Sequence, residues 1–259
     1  MAVSISYLEH WLTLFVWAFA RISGFLLTFP VTGSFLPTSV RLLLAIALSV
    51  TVLTSLPIDA VQNSIYGLSL RSILCTLGEF LTGVIFGMVL SLWFSLFSMA
   101  GHITGLQMGL GMAQMNDPAG GISVTVISQI YQFAALIMFF LMDGHATAIS
   151  ILLESFRTIA PTTFLEILQS AERLIHYAGW IFSAALILAL PALMALLVIN
   201  LAFGFMSRAA PQLNLLSLGF PLSLLSGLLI ISFSFEQFST PFRRFTQEAI
   251  LLLRQLALL

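Results

Sequence analysis

Asp143-Gly144-His145 sets a carboxylate two residues from an imidazole that titrates near neutrality, the raw material of acid/base chemistry. Hydrolysis would also need a nucleophile. The chain has no GxSxG elbow, HExxH zinc motif, phosphate-binding loop or clustered carboxylates. A simpler role for the tripeptide is a helix-ending turn, with Gly144 taking the left-handed conformation and His145 satisfying the last carbonyls. His10, His102, His145 and His176 are too dispersed for metal-ligand spacing, and Cys75 is the only cysteine, so no intrachain disulfide forms. A non-enzymatic protein with no cofactor and no metal is expected.

Other residues do physical work without catalysis. Gly101, Gly105 and Gly109 recur every four residues and fall on one helical stripe where another backbone can approach closely; Gly83 and Gly87 repeat the device. Met108, Met112 and Met115 then lead into Asn116-Asp117-Pro118 and the glycines Gly120 and Gly121, with Gly111 between them. Methionine adapts to changing surfaces and glycine permits backbone motion, so this run reads either as core packing or as a deformable constriction.

Arg21 stands inside the first apolar run, where a charge at mid-depth costs about 2.5–3.5 kcal/mol unless it is paired or snorkels. Glu79 follows Arg71 by eight positions, too far for assured contact along a helix, so its partner is expected elsewhere. Arg21, Arg41 and Glu79 are expected as buried or interface charges, with Arg21 paired across a subunit boundary.

The elements that must hold these residues are apolar. Of 259 residues 59% are hydrophobic and 7% charged, whereas a soluble domain carries about a quarter charged residues. Six apolar segments emerge: Trp11 to Phe29, Val40 to Leu56, Ile73 to Ala100, Val126 to Met142, Ala178 to Met206 and Leu213 to Phe235. They lack period-2 alternation, and a bilayer admits only helices or closed barrels, so the fold class is an all-α membrane protein of about six long apolar helices.

Nothing from Phe80 to Asn116 is charged; as one helix this stretch would be about 55 Å long and must break, tilt or leave the lipid. Pro191 and Pro221 are expected to kink their helices. The stretch Asp143 to His176 reads as short amphipathic helices, and Glu236 to Leu259 as a surface-lying or partner-docking helix. Met1 to His10 lacks the basic region of a signal peptide, so the first run is expected to be retained. All nine basic residues are Arg, and their distribution favours both termini in the cytoplasm. Near-zero net charge gives no sign of a nucleic-acid partner. One reading of the prolines is a secondary transporter with discontinuous helices.

Over nearly its whole length the chain resembles the FliR/SctT family of the bacterial type III export apparatus. The resemblance rests on Arg21-x-x-Gly24, Pro30-x-x-Gly33 and Pro37-x-x-x-Arg41; on Gly101-x-x-x-Gly105-x-Gln107-Met108-Gly109-x-Gly111; and on Met115-x-Asp117-Pro118-x-x-Gly121-x-Ser123. Gly144-His145, Glu154-Ser155-Phe156, Pro191-Ala192 and Arg208-x-x-Pro211-Gln212-Leu213-Asn214 extend it, while Asp143 stands where the family often has Asn. The resemblance implies a FliP-like part, 1–177, fused to a FliQ-like hairpin, 178–259, with helices that need not all cross the bilayer. It implies assembly with FliP and FliQ homologues, neighbouring FlhB and other export proteins, at the flagellar basal body in the inner membrane. Unfolded exported proteins would be the passing substrate. A plug loop at about 106–122 would place Met112 and Met115 in the closed pore.

Overall fold

The structure, a computed structural model, describes residues 5–55, 70–111, 125–158, 164–209 and 215–258. Among these the chain is all-helical, with no strand. The helices are α1 (Ile5–Thr28), α2 (Pro30–Phe35), α3 (Thr38–Ser55), α4 (Leu70–Gln107), α5 (Val126–Leu141), α6 (Gly144–Thr158), α7 (Phe164–Ala209), α8 (Leu215–Glu236) and α9 (Ser239–Ala257).

Among the described residues each of the six apolar segments falls on a helix, but by length and composition four of these helices suffice to cross a membrane, or five if α5 and α6 act as one broken span. The difference comes from α3, whose apolar stretch Thr38–Thr54 is short for the hydrocarbon thickness, and from the two-residue break after α5. At 38 residues, α4 runs unbroken for about 57 Å. Even at a steep tilt of about 40° it would cover about 44 Å along the bilayer normal, more than the hydrocarbon thickness. Part of it therefore lies outside the hydrocarbon. The polar stretch before Ala178 is helical as α6 and as the start of α7, which continues to 46 residues because no breaker separates its polar from its apolar part. Pro191 and Pro221 fall inside α7 and α8, and both helices carry on through them.

The chain divides into two compact units interleaved in sequence. The first holds Met1–Leu92, Asp143–Ala178 and Glu248–Leu259. In it Ala18, Ile22, Phe25 and Leu26 form the buried stripe of α1, and Phe29 just beyond it is buried as well. That stripe meets α4 through small residues: a Cβ on Gly83 would strike the Arg21 carbonyl, and one on Gly87 the Thr28 hydroxyl. With no side chain between them the two backbones touch, which brings the side chains on either flank within hydrogen-bonding reach.

The second unit holds Trp93–Met142 and Gly179–Gln247. Its core is aromatic. Fully buried Trp93 packs edge-on against Phe97 at 4.9 Å and Phe242 at 5.3 Å, and Phe139 closes the cluster at 5.4 Å. Such pairs contribute about 0.5–1.5 kcal/mol each beyond the area they bury. Outward faces are apolar too: Phe182, Val198 and Phe205 on α7 and Leu225, Leu229 and Phe233 on α8 are all exposed. In the spans, 61% of Ser72–Gln107 on α4 is buried against 17% of Gly219–Glu236 on α8, so α8 presents apolar surface outward. A patch this extensive is material for lipid or for another protein.

Candidate functional site

Two constructions concentrate the specialised residues. In the second unit, α4 and α5 meet at the root of the glycine- and methionine-rich connection. A Cβ on Gly101 would lie 2.6 Å from the Ser128 Cα, and one on Gly105 2.7 Å from the Thr125 Oγ1. Both glycines thus admit the first turn of α5 directly onto the α4 backbone. Thr125 caps that turn, accepting from the Ser128 amide at 3.3 Å, and is itself buried. The α5 side of the root is fixed by backbone packing.

On the α4 side, Met108 and Gly109 follow the last helical residue. The Met108 amide still donates to the Thr104 carbonyl at 3.1 Å, and the Gly109 amide to Leu106 at 3.0 Å. Gly109 takes a left-handed φ of 88°, which ends the helix and favours glycine there. Asn200 on α7 donates to the Gln107 carbonyl at 3.4 Å, capping the same end. The Met108 side chain is 0% exposed and seats on Gly227 of α8, where an added Cβ would come within 2.5–2.8 Å of its Cγ, Cε and Sδ. A Cβ on Gly109 would meet Phe220 of the same helix at 3.1 Å, and one on Gly111 would meet Leu106 at 2.9 Å.

The second construction lies in the first unit. Arg21 and Glu79, each 1% exposed, form an ion pair with Nε 2.6 Å from Oε2. Arg21 Nη1 donates to the Ser155 carbonyl at 2.9 Å and to its hydroxyl at 3.0 Å, and the guanidinium lies 4.4 Å from the Phe156 ring centre. The Ser155 hydroxyl donates onward to the Leu152 carbonyl at 2.6 Å. Gly83, one turn beyond Glu79 on α4, draws the α1 backbone in and so sets the reach of Arg21. The planar fork of arginine matches this split between a carboxylate and a carbonyl, which a point-charged lysine would not.

The other predicted residues take quieter places. Arg41 Nη2 donates to the carbonyls of Thr32 at 3.0 Å and Gly33 at 3.2 Å, closing the C-terminal end of α2, where a cation also suits the helix dipole. Between α5 and α6 the left-handed residue is Asp143, with φ 53°, not Gly144, which opens α6 and is buried. Asp tolerates this conformation, and its carbonyl accepts from the Thr147 amide at 3.0 Å. Arg21 pairs within its own chain, contrary to the expectation of a partner across a subunit boundary; a carboxylate 58 residues away meets the need. Met112, Met115, Asn116, Asp117, Pro118, Gly120 and Gly121 lie outside the described residues. Among the described residues no group of three or more His, Cys, Asp or Glu side chains is placed to hold a metal ion.

Gly227, Ser155, Phe156 and Asn200 are the residues that sequence reasoning gave no role. Ser155 and Phe156 lie in a segment that carried the family resemblance, which was the available signal. Gly227 and Asn200 had none.

Helix length, apolar surface and two sites made of packing and pairing define the class: an all-helical membrane protein. Residues 12–249 match the family described as bacterial export proteins, family 1. The chain is 33% identical over 223 residues to the flagellar biosynthetic protein FliR of Pectobacterium carotovorum subsp. carotovorum, with 86% of this chain and 84% of that one covered. It is 33% identical over 224 residues to FliR of Escherichia coli (strain K12), at 86% and 84% coverage. With FliR of Aquifex aeolicus (strain VF5) the identity is 31% over 227 residues, covering 87% and 86%. The chain belongs to this family of bacterial export proteins, among the flagellar FliR proteins.

Proposed function

We propose that this protein is a structural and gating subunit of the flagellar type III export gate, without catalytic activity of its own. It assembles with FliP and FliQ homologues in the bacterial inner membrane at the basal body, near FlhB. Unfolded flagellar proteins pass through the assembly. The division into a FliP-like part, 1–177, and a FliQ-like part, 178–259, belongs to the same proposal.

The observation that carries it is the root at Gly101 and Gly105. Because α5 returns onto the α4 backbone there, the connection with Met112 and Met115 leaves and rejoins the helices near the C-terminal end of α4. A segment tethered at a common root can be displaced while the helices stay packed, as a plug must be. The apolar outward faces of α7 and α8 supply surface for neighbouring subunits and lipid.

A secondary transporter would need a coupling carboxylate held at mid-depth. Glu79 is committed to Arg21, and Glu236, beside a cavity of about 530 Å³ bordered by Pro191, is exposed where α8 ends. Two measurements test the proposal. Co-purification followed by mass measurement of the intact complex should find FliP and FliQ homologues bound to this chain. Shortening the loop within 112–121 should raise ion leakage through the assembled complex; unchanged leakage would remove the gating role.

A further inference from the structure

Glu236 is the only acidic side chain among the described residues of the second unit, and no cation of the described chain pairs with it. It closes the apolar span Gly219–Glu236, so a helix crossing along that span carries it at headgroup depth. The cavity of about 530 Å³ that it borders is walled within the same unit by Ile187 and Pro191 of α7 and by Gln237, Thr240 and Pro241 around the start of α9. Pro191 has no N–H, so the Ile187 carbonyl one turn back lacks its regular helical donor and keeps the capacity to accept. The wall is therefore rich in acceptors and carries one charge, a negative one. Arg244, four residues beyond Thr240 and three beyond Pro241, follows them on the same face of α9 and is exposed without an ion pair among the described residues. Ile187, Leu190 and Phe233 continue from the cavity as exposed apolar surface.

We infer that this cavity is a headgroup site for a phospholipid with a primary ammonium, of the phosphatidylethanolamine class. The ammonium donates to the Glu236 carboxylate and, through its other N–H groups, to the Ile187 carbonyl and the neighbouring side-chain oxygens. The phosphate faces Arg244, and an acyl chain lies over Ile187, Leu190 and Phe233. Charge complementarity selects this occupant: an unpaired carboxylate on the cavity wall and an unpaired guanidinium one turn beyond it match the two charges of one headgroup. A quaternary ammonium has the same charge but no N–H to give the acceptors, and a phosphoglycerol headgroup has no cation for Glu236. A basic side chain from a neighbouring subunit meets Glu236 but leaves Arg244 without an anion. The volume lies in the range of about 300–1,000 Å³ usual for small-molecule sites. The inference is independent of the gating role, since it concerns how the chain is seated in lipid.

Lipid titration of the full chain tests it. The delipidated chain in detergent is offered phosphatidylethanolamine, phosphatidylcholine or phosphatidylglycerol with the same acyl chains, and bound lipid is counted by mass measurement of the intact species. Phosphatidylethanolamine should be retained several-fold over the other two, and Glu236→Gln should lower it to the phosphatidylcholine level. Equal retention of the three lipids, preference for phosphatidylglycerol, or undiminished phosphatidylethanolamine on Glu236→Gln overturns the site. Should Glu236→Gln give no folded chain, the unmodified chain decides: phosphatidylethanolamine should raise its unfolding midpoint more than phosphatidylcholine does, and equal shifts overturn the site. The same variant in the assembled complex separates lipid from protein. If Glu236→Gln holds lipid like the unmodified chain and yet loses its neighbouring subunits, the carboxylate serves a basic side chain of another subunit and the lipid site is overturned.

Discussion

Arg21 in the first unit is fixed by directional bonds to Glu79 and Ser155, whereas the buried Met108 side chain in the second, seated on Gly227, is held by apolar packing. Both side chains are fully buried in an apolar helical protein, yet they respond oppositely to disturbance. A guanidinium out of water must keep its partners, because a lone buried charge is far costlier than a lone methyl group. A thioether has no such obligation and makes its contacts by dispersion, each small and each replaceable. The chain therefore places its costly interaction where helices stay put and its undemanding one beside the loop.

The comparison breaks most sharply at Glu79. Replacing it with Leu leaves Arg21 buried without its carboxylate, and the expected loss is about 3–5 kcal/mol, a large share of the about 5–15 kcal/mol by which native proteins are stable. Recovery of folded chain in detergent and its unfolding midpoint measure the effect. Arg21→Leu together with Glu79→Leu removes both charges and should recover most of the loss. A double variant as poor as the single one would show that the pair serves through shape and not through charge.

Each partner of that pair is legible alone in the sequence, since an ionised group in an apolar run is conspicuous. The pairing is not legible. Arg21 and Glu79 are 58 residues apart, and Ser155, 134 from Arg21, carries no charge to announce it. The same division holds elsewhere. Four-residue glycine spacing marked Gly83, Gly87, Gly101 and Gly105, all of which lie at close backbone or side-chain approaches. Gly227 lies eight residues from Gly219 with no such repeat, and its importance comes entirely from Met108 opposite. Helix ends were obscured where polar sequence carries helix onward: Glu172, Arg173 and His176 read as part of a short amphipathic helix but lie inside the 46-residue α7. At Asp143-Gly144 the glycine drew the left-handed assignment, although the residue before it takes that conformation and Gly144, buried, begins α6.

A finer test compares two glycines of the second unit. Gly101→Ala drives a methyl into the Ser128 Cα and the Ile127 carbonyl, backbone atoms of a capped helix start that move only with α5. Overpacking of this kind costs about 1–3 kcal/mol. Gly227→Ala meets the Cγ, Cε and Sδ of Met108, side-chain atoms that can shift by rotating the methionine without moving a helix backbone. The unfolding midpoint should therefore fall clearly for Gly101→Ala and little for Gly227→Ala. Equal destabilisation by the two would mean that Met108 is held as rigidly as the α5 backbone.

Gly179 on α7 gives the smallest expected effect and marks the other extreme, because among the described residues a Cβ there has no atom within 4 Å beyond its own stretch of helix. Glycine inside a helix is unfavourable relative to alanine through the freedom its unfolded chain enjoys, and alanine at a site with room for it typically adds about 0.4–1 kcal/mol. Gly179→Ala should accordingly raise the unfolding midpoint of the isolated chain slightly. The same substitution in the assembled gate then reads the surroundings of α7 directly. If the complex forms at its usual yield, the space beside Gly179 is lipid or solvent. If the isolated chain is stabilised and yet the complex is lost, a neighbouring backbone occupies that space, meeting Gly179 as Ser128 meets Gly101.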